Sequence, residues 1–396
     1  MIQKAPGTEQ INTLDSPEPR PEARRLKVLQ VGKFYPPHMG GIETHLQALC
    51  GELKRSMDVR VLVANDHRVS ADELLNGVSV SRLATHFTLA STPCCPGMAG
   101  RIRRSEADIV HIHLPNPMAV LAYLASGHRG RLVVTYHSDT VRQKILGPMF
   151  EPFLHQLLRR SSAVIATSPD YRRTSLVLSR YLDRCEVIPY GIALDEFERA
   201  DPAEVGRLQR QYGDRLIVSV GRLVYYKGFE YLIRAMSKVR GRLLIIGDGP
   251  LRPQLQELTG RLNLGDRVIF AGEIQNQDVV PYYHAAQLFA LASVARSEAF
   301  GIVQIEAMAA RLPVLNTTLD SGVPFVSLHE KTGLSVPPQD SDALAAAMNR
   351  LLDDPSLRRS LGEAARLRAR QEFSLETMTS RVLALYQAVL DRAPHS

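Results

Sequence analysis

Short, near-continuous apolar runs rich in Val, Ile and Leu alternate along the chain with stretches whose apolar residues recur every three or four positions. In the first half the runs are "LKVLQVG" (26–32), "VRVLVAN" (59–65), "ADIVHIH" (107–113), "RLVVTYH" (131–137), "SAVIATS" (162–168) and "CEVIPYG" (185–191). Between them lie helical patterns such as Ile42, Leu46, Leu49 and Leu53. Apolar strands separated by helices predict a parallel sheet covered on both faces. After "ALDEFERADPAEVG", which reads as a polar linker, the alternation restarts with "RLIVSVG" (215–221), "RLLIIGDG" (242–249), "RVIFAGE" (267–273), "LFALAS" (288–293), "LPVLNT" (312–317) and "GLSVPP" (333–338). The fold class is therefore α/β, with two doubly wound parallel sheets whose strand carboxyl ends face across a cleft. The predicted domains are 26–193 and 194–373. A final helix, "SLETMTSRVLALYQAVLDR", lies within 374–396 and is expected to pack back toward the first domain. Residues 1–25 have no periodicity and no apolar centre, and read as a disordered leader.

Composition narrows this picture without redirecting it. With 396 residues, 45% of them hydrophobic and 22% charged, the chain is long enough for two ordinary cores. No apolar run approaches the roughly 18 to 20 residues of a membrane helix. Four cysteines lack zinc spacing or a disulfide framework, which points to reducing cytoplasm. The net charge of +7 favours anionic partners such as phosphates or acidic lipid headgroups. Without Trp or interleaved aromatic and basic residues, nucleic acid is not an expected partner.

Chemistry concentrates in "SVARSEAFGIVQIEAMAARLPVLNT" (293–317). Glu298 precedes a helix start predicted at Phe300-Gly301, and Glu306 lies eight residues further on in apolar surroundings. Amides at Phe300, Gly301 and Ile302 would be free in a first helical turn, forming an anion site backed by the helix dipole. The two carboxylates could accept hydrogen bonds from sugar hydroxyls. In "VGRLVYYKGFEYLIRAM", Arg222 and Lys227 follow the first strand of the second sheet, where fixed positive charge could hold a diphosphate.

These segments resemble the retaining glycosyltransferases of family four, which have the two-Rossmann GT-B architecture. The resemblance runs from Leu26 to about residue 390. It rests on the Gly-Gly loop in "YPPHMGGIETHL", His137 closing "VVTYH", "VIPYGIALDEF", "GRLVYYKG", "GDGP" and the Glu–seven–Glu segment "EAFGIVQIE". "TYHSDTVRQK" and "NTTLDSGVP" are most similar to bacterial mannosyl- or rhamnosyltransferases of polysaccharide assembly. The resemblance implies transfer of a hexose, mannose from GDP-mannose by preference, to a hydroxyl of a glycan or lipid-linked acceptor, with retention and without metal or other cofactor. It places Gly40 and Gly41 against the donor diphosphate, Arg222 and Lys227 on that diphosphate, and Glu298 on the transferred sugar. Phe300, Gly301 and Ile302 would add amide contacts, Glu306 would hold the ribose, Glu273 and Ile274 would lie at the base, and His137 would hydrogen-bond the reacting sugar. Two departures stand out: Arg311 where many relatives have glycine, and Tyr190 where many have Asn.

Acceptor recognition falls to the first domain. Segment 86–104 reads as a basic-ended loop which, with the helix starting at Ile42, would face a lipid-linked acceptor at the inner face of the cytoplasmic membrane. "DSD" at 340–342 reads as a helix N-cap in preference to a metal site. His111 and His113 read as polar walls of the cleft. Alternatives within the same architecture are a sucrose-synthase-like transferase and a sugar-nucleotide epimerase. Outside it stands a catalytically silent nucleotide-sugar-binding scaffold.

Overall fold

The computed structural model describes residues 24–38, 40–139, 146–275 and 277–392. The expected leader lies outside them apart from Arg24 and Arg25, which are anchored: Arg24 pairs with Asp108 at 3.0 Å, and Arg25 donates to the Arg55 carbonyl at 2.7 Å. Residues 140–144 of the "TYHSDTVRQK" segment and Met39 also lie outside the described residues.

The first sheet contains β1 (Lys27–Val31), β2 (Asp58–Ala64), β3 (Ala71–Leu75), β4 (Val78–Leu83), β7 (Ile109–Leu114), β8 (Arg131–Tyr136), β9 (Ala163–Ala166) and β10 (Cys185–Val187), and a separate hairpin contains β5 (Phe87–Leu89) and β6 (Thr92–Cys94). Its order is β10-β9-β8-β7-β1-β2-β4-β3. All neighbours are parallel except β3 and β4. The second sheet comprises β11 (Leu216–Val220), β12 (Arg242–Ile246), β13 (Val268–Gly272), β14 (Leu288–Ala290), β15 (Val314–Thr317) and β16 (Gly333–Val336), in the order β13-β12-β11-β14-β15-β16, with every pair parallel. The inner strands are buried along most of their length, and Ile109–Leu114 throughout, because helices cover both faces.

Two segments fold otherwise than expected. The stretch 86–104 is not a loop: it forms the β5–β6 hairpin and the helix Met98–Arg104. The acidic linker is largely helical, with turns at Asp195–Glu198 and Pro202–Tyr212, the second capped by Asp201 Oδ1 accepting from the Ala203 amide. In the first, Cys95, Met98 and Ile102 pack into the core of the first sheet; in the second, the Asp201 cap sets the helix start.

The crossing between the sheets is a double strand. Ile192 N donates to Phe373 O at 3.0 Å and Leu375 N to Ile192 O at 2.9 Å, so the outgoing and returning chains bond to each other. Gly191 lies so close to the Ser374 carbonyl that a Cβ would stand 2.3 Å from it, leaving no room for a side chain. Beyond this crossing, the helix Leu375–Asp391 packs Met378, Val382, Leu385, Tyr386 and Val389 into the core of the first sheet. Ser374 Oγ caps it by accepting from the Thr377 amide at 3.1 Å.

Candidate functional site

Sheet order explains where the signature loops meet. β11 is flanked by β12 on one side and β14 on the other, so the loops leaving β11 and β14 open side by side at the point where the winding reverses. The first loop carries Arg222 and a single turn, Tyr225–Lys227. The second carries Ser293 to Ile302. Lys227 Nζ and Glu298 Oε2 meet at 2.6 Å with both side chains about nine-tenths buried. Ser293 Oγ donates to the same carboxylate oxygen at 3.2 Å. Arg222 is exposed and has no ion-pair partner among the described residues.

The helix predicted from Phe300-Gly301 begins later, at Val303, and runs only to Ala309. Gly301 is the cause: its φ of 75° is left-handed, and a Cβ there would lie 2.8 Å from Leu291. The amides of Phe300, Gly301 and Ile302 therefore belong to a loop, and among the described residues they have no acceptor. The expected donors are present, but a helix of 7 residues adds less dipole than assumed. Glu306, in this helix, accepts from Tyr283 Oη at 2.7 Å. Burial raises its pKa, opposed by the Tyr283 hydrogen bond and the Lys227 charge. Glu273 is exposed and Ile274 half-buried, both after the edge strand β13, and no contact joins them to the Lys227–Glu298 pair among the described residues.

The loop 293–302 is also the seam between domains. Ala299 packs against the first domain's core, and the Phe300 ring meets the Tyr190 ring edge-on, with centroids 4.9 Å apart. A Cβ on Gly41, at the start of the helix Gly41–Leu53, would stand 3.9 Å from Ile302 Cδ1. Gly40 precedes this helix in extended backbone.

His137 is placed differently from the expectation. It is buried, and both ring nitrogens are in use: Nδ1 pairs with Tyr190 Oη and Nε2 with His113 Nδ1 at 3.0 Å. A hydrogen bond from His137 to a sugar would require one of these partners to leave. His111 and His113 do not wall the cleft either; they are core residues in a continuous polar chain. Gln30 Oε1 can only accept, so His113 Nε2 donates to it, at 2.9 Å. His113 Nδ1 must then accept from His137 Nε2, and His137 Nδ1 from the Tyr190 hydroxyl. On the other side Gln30 Nε2 donates to Tyr386 Oη at 2.9 Å, and Tyr386 reaches His111 Nδ1 at 2.6 Å. Burial holds all these histidines neutral, with His111 lowered to about 3 and the nearby His45 to about 4.

His45, His113 and His137 bring ring nitrogens within 4.8 Å of one another. The His113 and His137 rings are within 16° of coplanar with centroids 5.2 Å apart, so their facing nitrogens point straight at each other across 3.0 Å. That is an in-line N–H···N bond. Two ligands of one ion at roughly 2.0–2.1 Å and tetrahedral angles need a wider, bent separation. The "DSD" segment caps a helix as expected, with Asp340 Oδ1 accepting from Asp342 and Ala343 amides at 3.1 and 2.8 Å.

In the first domain, a cavity of about 370 Å³ opens beside the seam, lined by Leu114, Tyr136, Phe150, Leu154 and Val177 and, from the second domain, by Arg296. Arg296, Tyr190, Ser293, Tyr283 and His45 all shape the site without having been picked out for it from sequence. They come from distant segments: Arg296 and Ser293 lay inside the Glu298 segment and His45 inside the Gly-Gly segment, Tyr190 stood out only as a departure from the resemblance, and Tyr283 had no positional signal.

Comparison with known proteins agrees with this architecture. Residues 39–196 match the description "Glycosyltransferase Family 4" and residues 202–368 match "Glycosyl transferases group 1". The chain is 31% identical to D-rhamnosyltransferase WbpZ of Pseudomonas aeruginosa, over 88% of this chain and 92% of that protein. It is 29% identical to O-antigen chain mannosyltransferase C of Escherichia coli, over 92% and 99%. Among solved structures, sucrose-phosphate synthase from Thermosynechococcus elongatus superposes with a TM-score of 0.76 at 25% identity, covering 92% of this chain and 99% of that one. The fold is that of a GT-B sugar-transferring enzyme. The chain belongs to the family 4 glycosyltransferases, and its reaction is sugar transfer.

Proposed function

We propose that the protein is a retaining, metal-independent mannosyltransferase that takes mannose from GDP-mannose and passes it to a hydroxyl of a lipid-linked glycan. The observation that carries this reading is the Lys227–Glu298 pair, 2.6 Å apart at the switch point of the second sheet and beside three amides without acceptors. The incoming diphosphate competes for Lys227 and is joined by Arg222 and the loop amides. Glu298, released from Lys227, is then free to accept from hydroxyls of the sugar. Glu306 serves the ribose, and the loop at Glu273 and Ile274 the base. Mannose and a glycan acceptor are proposed from the relatives, one named a mannosyltransferase and one a rhamnosyltransferase.

In the reaction the bond from the anomeric carbon to the diphosphate oxygen breaks and one from the acceptor oxygen forms on the same face. The acceptor proton passes to the departing phosphate, and GDP leaves. Positive charge from Arg222 and Lys227, with the loop amides, stabilises the leaving group, which is the work a divalent cation would otherwise do. The cavity beside the seam receives the acceptor. The basic end of the helix Met98–Arg104, where Arg103 and Arg104 are exposed, is proposed to face anionic membrane. No helix among the described residues is long and apolar enough to cross a membrane. Glu298→Ala and Lys227→Ala should each reduce turnover of GDP-mannose by about 10²-fold or more. Turnover within about threefold of the unaltered enzyme would remove these residues from the site.

A further inference from the structure

The Glu298 loop is anchored at a point the donor chemistry does not account for. Arg296, two residues before Glu298, leaves the second domain and docks on the first. Its Nη1 donates to the Thr174 carbonyl at 3.1 Å, its Nη2 lies 3.5 Å from Asp139 Oδ2, and its guanidinium carbon sits 5.8 Å from the centre of the Tyr171 ring. The receiving side is built for it. Asp139 Oδ1 accepts from Ser175 Oγ at 2.8 Å and from Tyr136 Oη at 3.1 Å, while the Tyr171 hydroxyl accepts from the Asp139 amide. Oδ1 is thereby occupied and Oδ2 is turned toward Arg296. Nearby, Thr174 Oγ1, which donates to the Asp170 carbonyl at 2.9 Å, lies 3.3 Å from the Asp320 carbonyl across the same seam.

Resting on the proposed function, we propose that Arg296 is a positioning residue that ties donor-sugar binding to domain seating. Docking of Arg296 on Asp139, Thr174 and Tyr171 fixes the backbone two residues from Glu298, and so places the carboxylate against the sugar only when the first domain is in contact. The nucleotide contacts outside this loop, at Arg222, Lys227 and Glu306, sit wholly in the second domain. Arg296 and Asp139 also line the cavity proposed to receive the acceptor, so an acceptor seated there bears on the contact that positions Glu298.

The test separates the sugar from the nucleotide. GDP and GDP-mannose binding by calorimetry, and GDP-mannose turnover, are measured for the intact protein, Arg296→Ala, Arg296→Lys and Asp139→Asn. Arg296→Ala should bind GDP within about twofold of the unaltered protein, lose the extra affinity contributed by the mannose, and turn over about 10- to 100-fold more slowly, as expected for a displaced reacting group. Arg296→Lys, which keeps the charge and most of the reach, should recover a large part of that loss, and Asp139→Asn should reproduce part of it. Turnover by Arg296→Ala within about twofold of the unaltered protein would overturn the proposal. So would a parallel loss of GDP and GDP-mannose affinity, the mark of a loop that has merely lost its structure, or an Arg296→Lys protein no better than Arg296→Ala. Absence of GDP-mannose binding by the unaltered protein would instead sink the reading of function on which the proposal rests.

Discussion

At residue scale, the site works by opposed charges held dry and close. Lys227 and Glu298 satisfy each other across 2.6 Å, so neither is an unpaired buried charge. Gly41 belongs to the same account from the other domain: a Cβ there would already touch Ile302, 3.9 Å from its Cδ1. Gly41→Val would add methyl groups beyond that contact. Transfer should fall by about tenfold or more, since a small displacement of reacting groups is costly, while GDP binding to the second domain stays near that of the unaltered protein. Assays of turnover beside calorimetric binding decide this; equal loss of both would show that Gly41 serves folding alone. The positions of Arg222, Lys227 and Glu298 in the loops after β11 and β14, and of Glu306 in the helix that follows, were legible in the sequence because strand-loop-helix order puts them there. His137 was misplaced because nothing in "VVTYH" shows that Tyr190, fifty-three residues on, and His113 already hold its two nitrogens.

At the scale of elements, local chemistry set most boundaries, and the failures have identifiable causes. The helix Val303–Ala309 ends in a paired turn: the Leu312 amide donates to Ala307 and the Arg311 amide to Met308, with Arg311 left-handed at φ 61°. Arg311 stands where many relatives have glycine, the residue that adopts this conformation at least cost. The start of the same helix was misjudged because Gly301 reads equally as a helical residue and as a left-handed turn. Strands β3 and β4 were missed although Asn76-Gly77 joins them with two positive φ values, since β3 is an exposed edge with no apolar run to announce it. The C-terminal helix was placed correctly in sequence, but its polar anchor was not visible there. Tyr386 accepts from Gln30 and shares a hydrogen bond with His111 Nδ1 inside the first sheet. Tyr386→Phe should destabilise the protein by about 2 to 4 kcal/mol, because it leaves two buried groups unsatisfied. Denaturant unfolding measures this, and a change below about 0.5 kcal/mol would mean that apolar packing alone holds the helix.

For the whole molecule, the two sheets share one seam, and the buried histidines beneath it set a pH limit. His45, His111, His113 and His137 are held neutral in the fold, all lowered chiefly by burial. The unfolded chain binds protons at these sites from about pH 6.5 downward. Stability is therefore intact above that value and declines as pH falls below it, by up to about 1.4 kcal/mol per pH unit for each histidine. Unfolding free energies at pH 7.5 and 5.5 should differ by about 3 to 6 kcal/mol, and a flat profile would show that the cluster takes up protons without leaving the fold. The doubly wound architecture was legible from the strand-helix alternation because parallel strands must be apolar on both faces. The double crossing at Ile192 and Ser374 was not, since it depends on two segments about 180 residues apart coming into register.

The central claim is that the second domain holds a nucleotide sugar by its diphosphate at Lys227 and Arg222. It is tested most directly by thermal stability in the presence of GDP-mannose, UDP-glucose, GDP and UDP, for the unaltered protein and for Lys227→Ala. The account predicts that GDP-mannose stabilises the unaltered protein by about 2.7 kcal/mol at a hundredfold excess over its Kd, and that Lys227→Ala loses most of that gain. A protein whose melting is unmoved by all four compounds, or moved equally in Lys227→Ala, would contradict it.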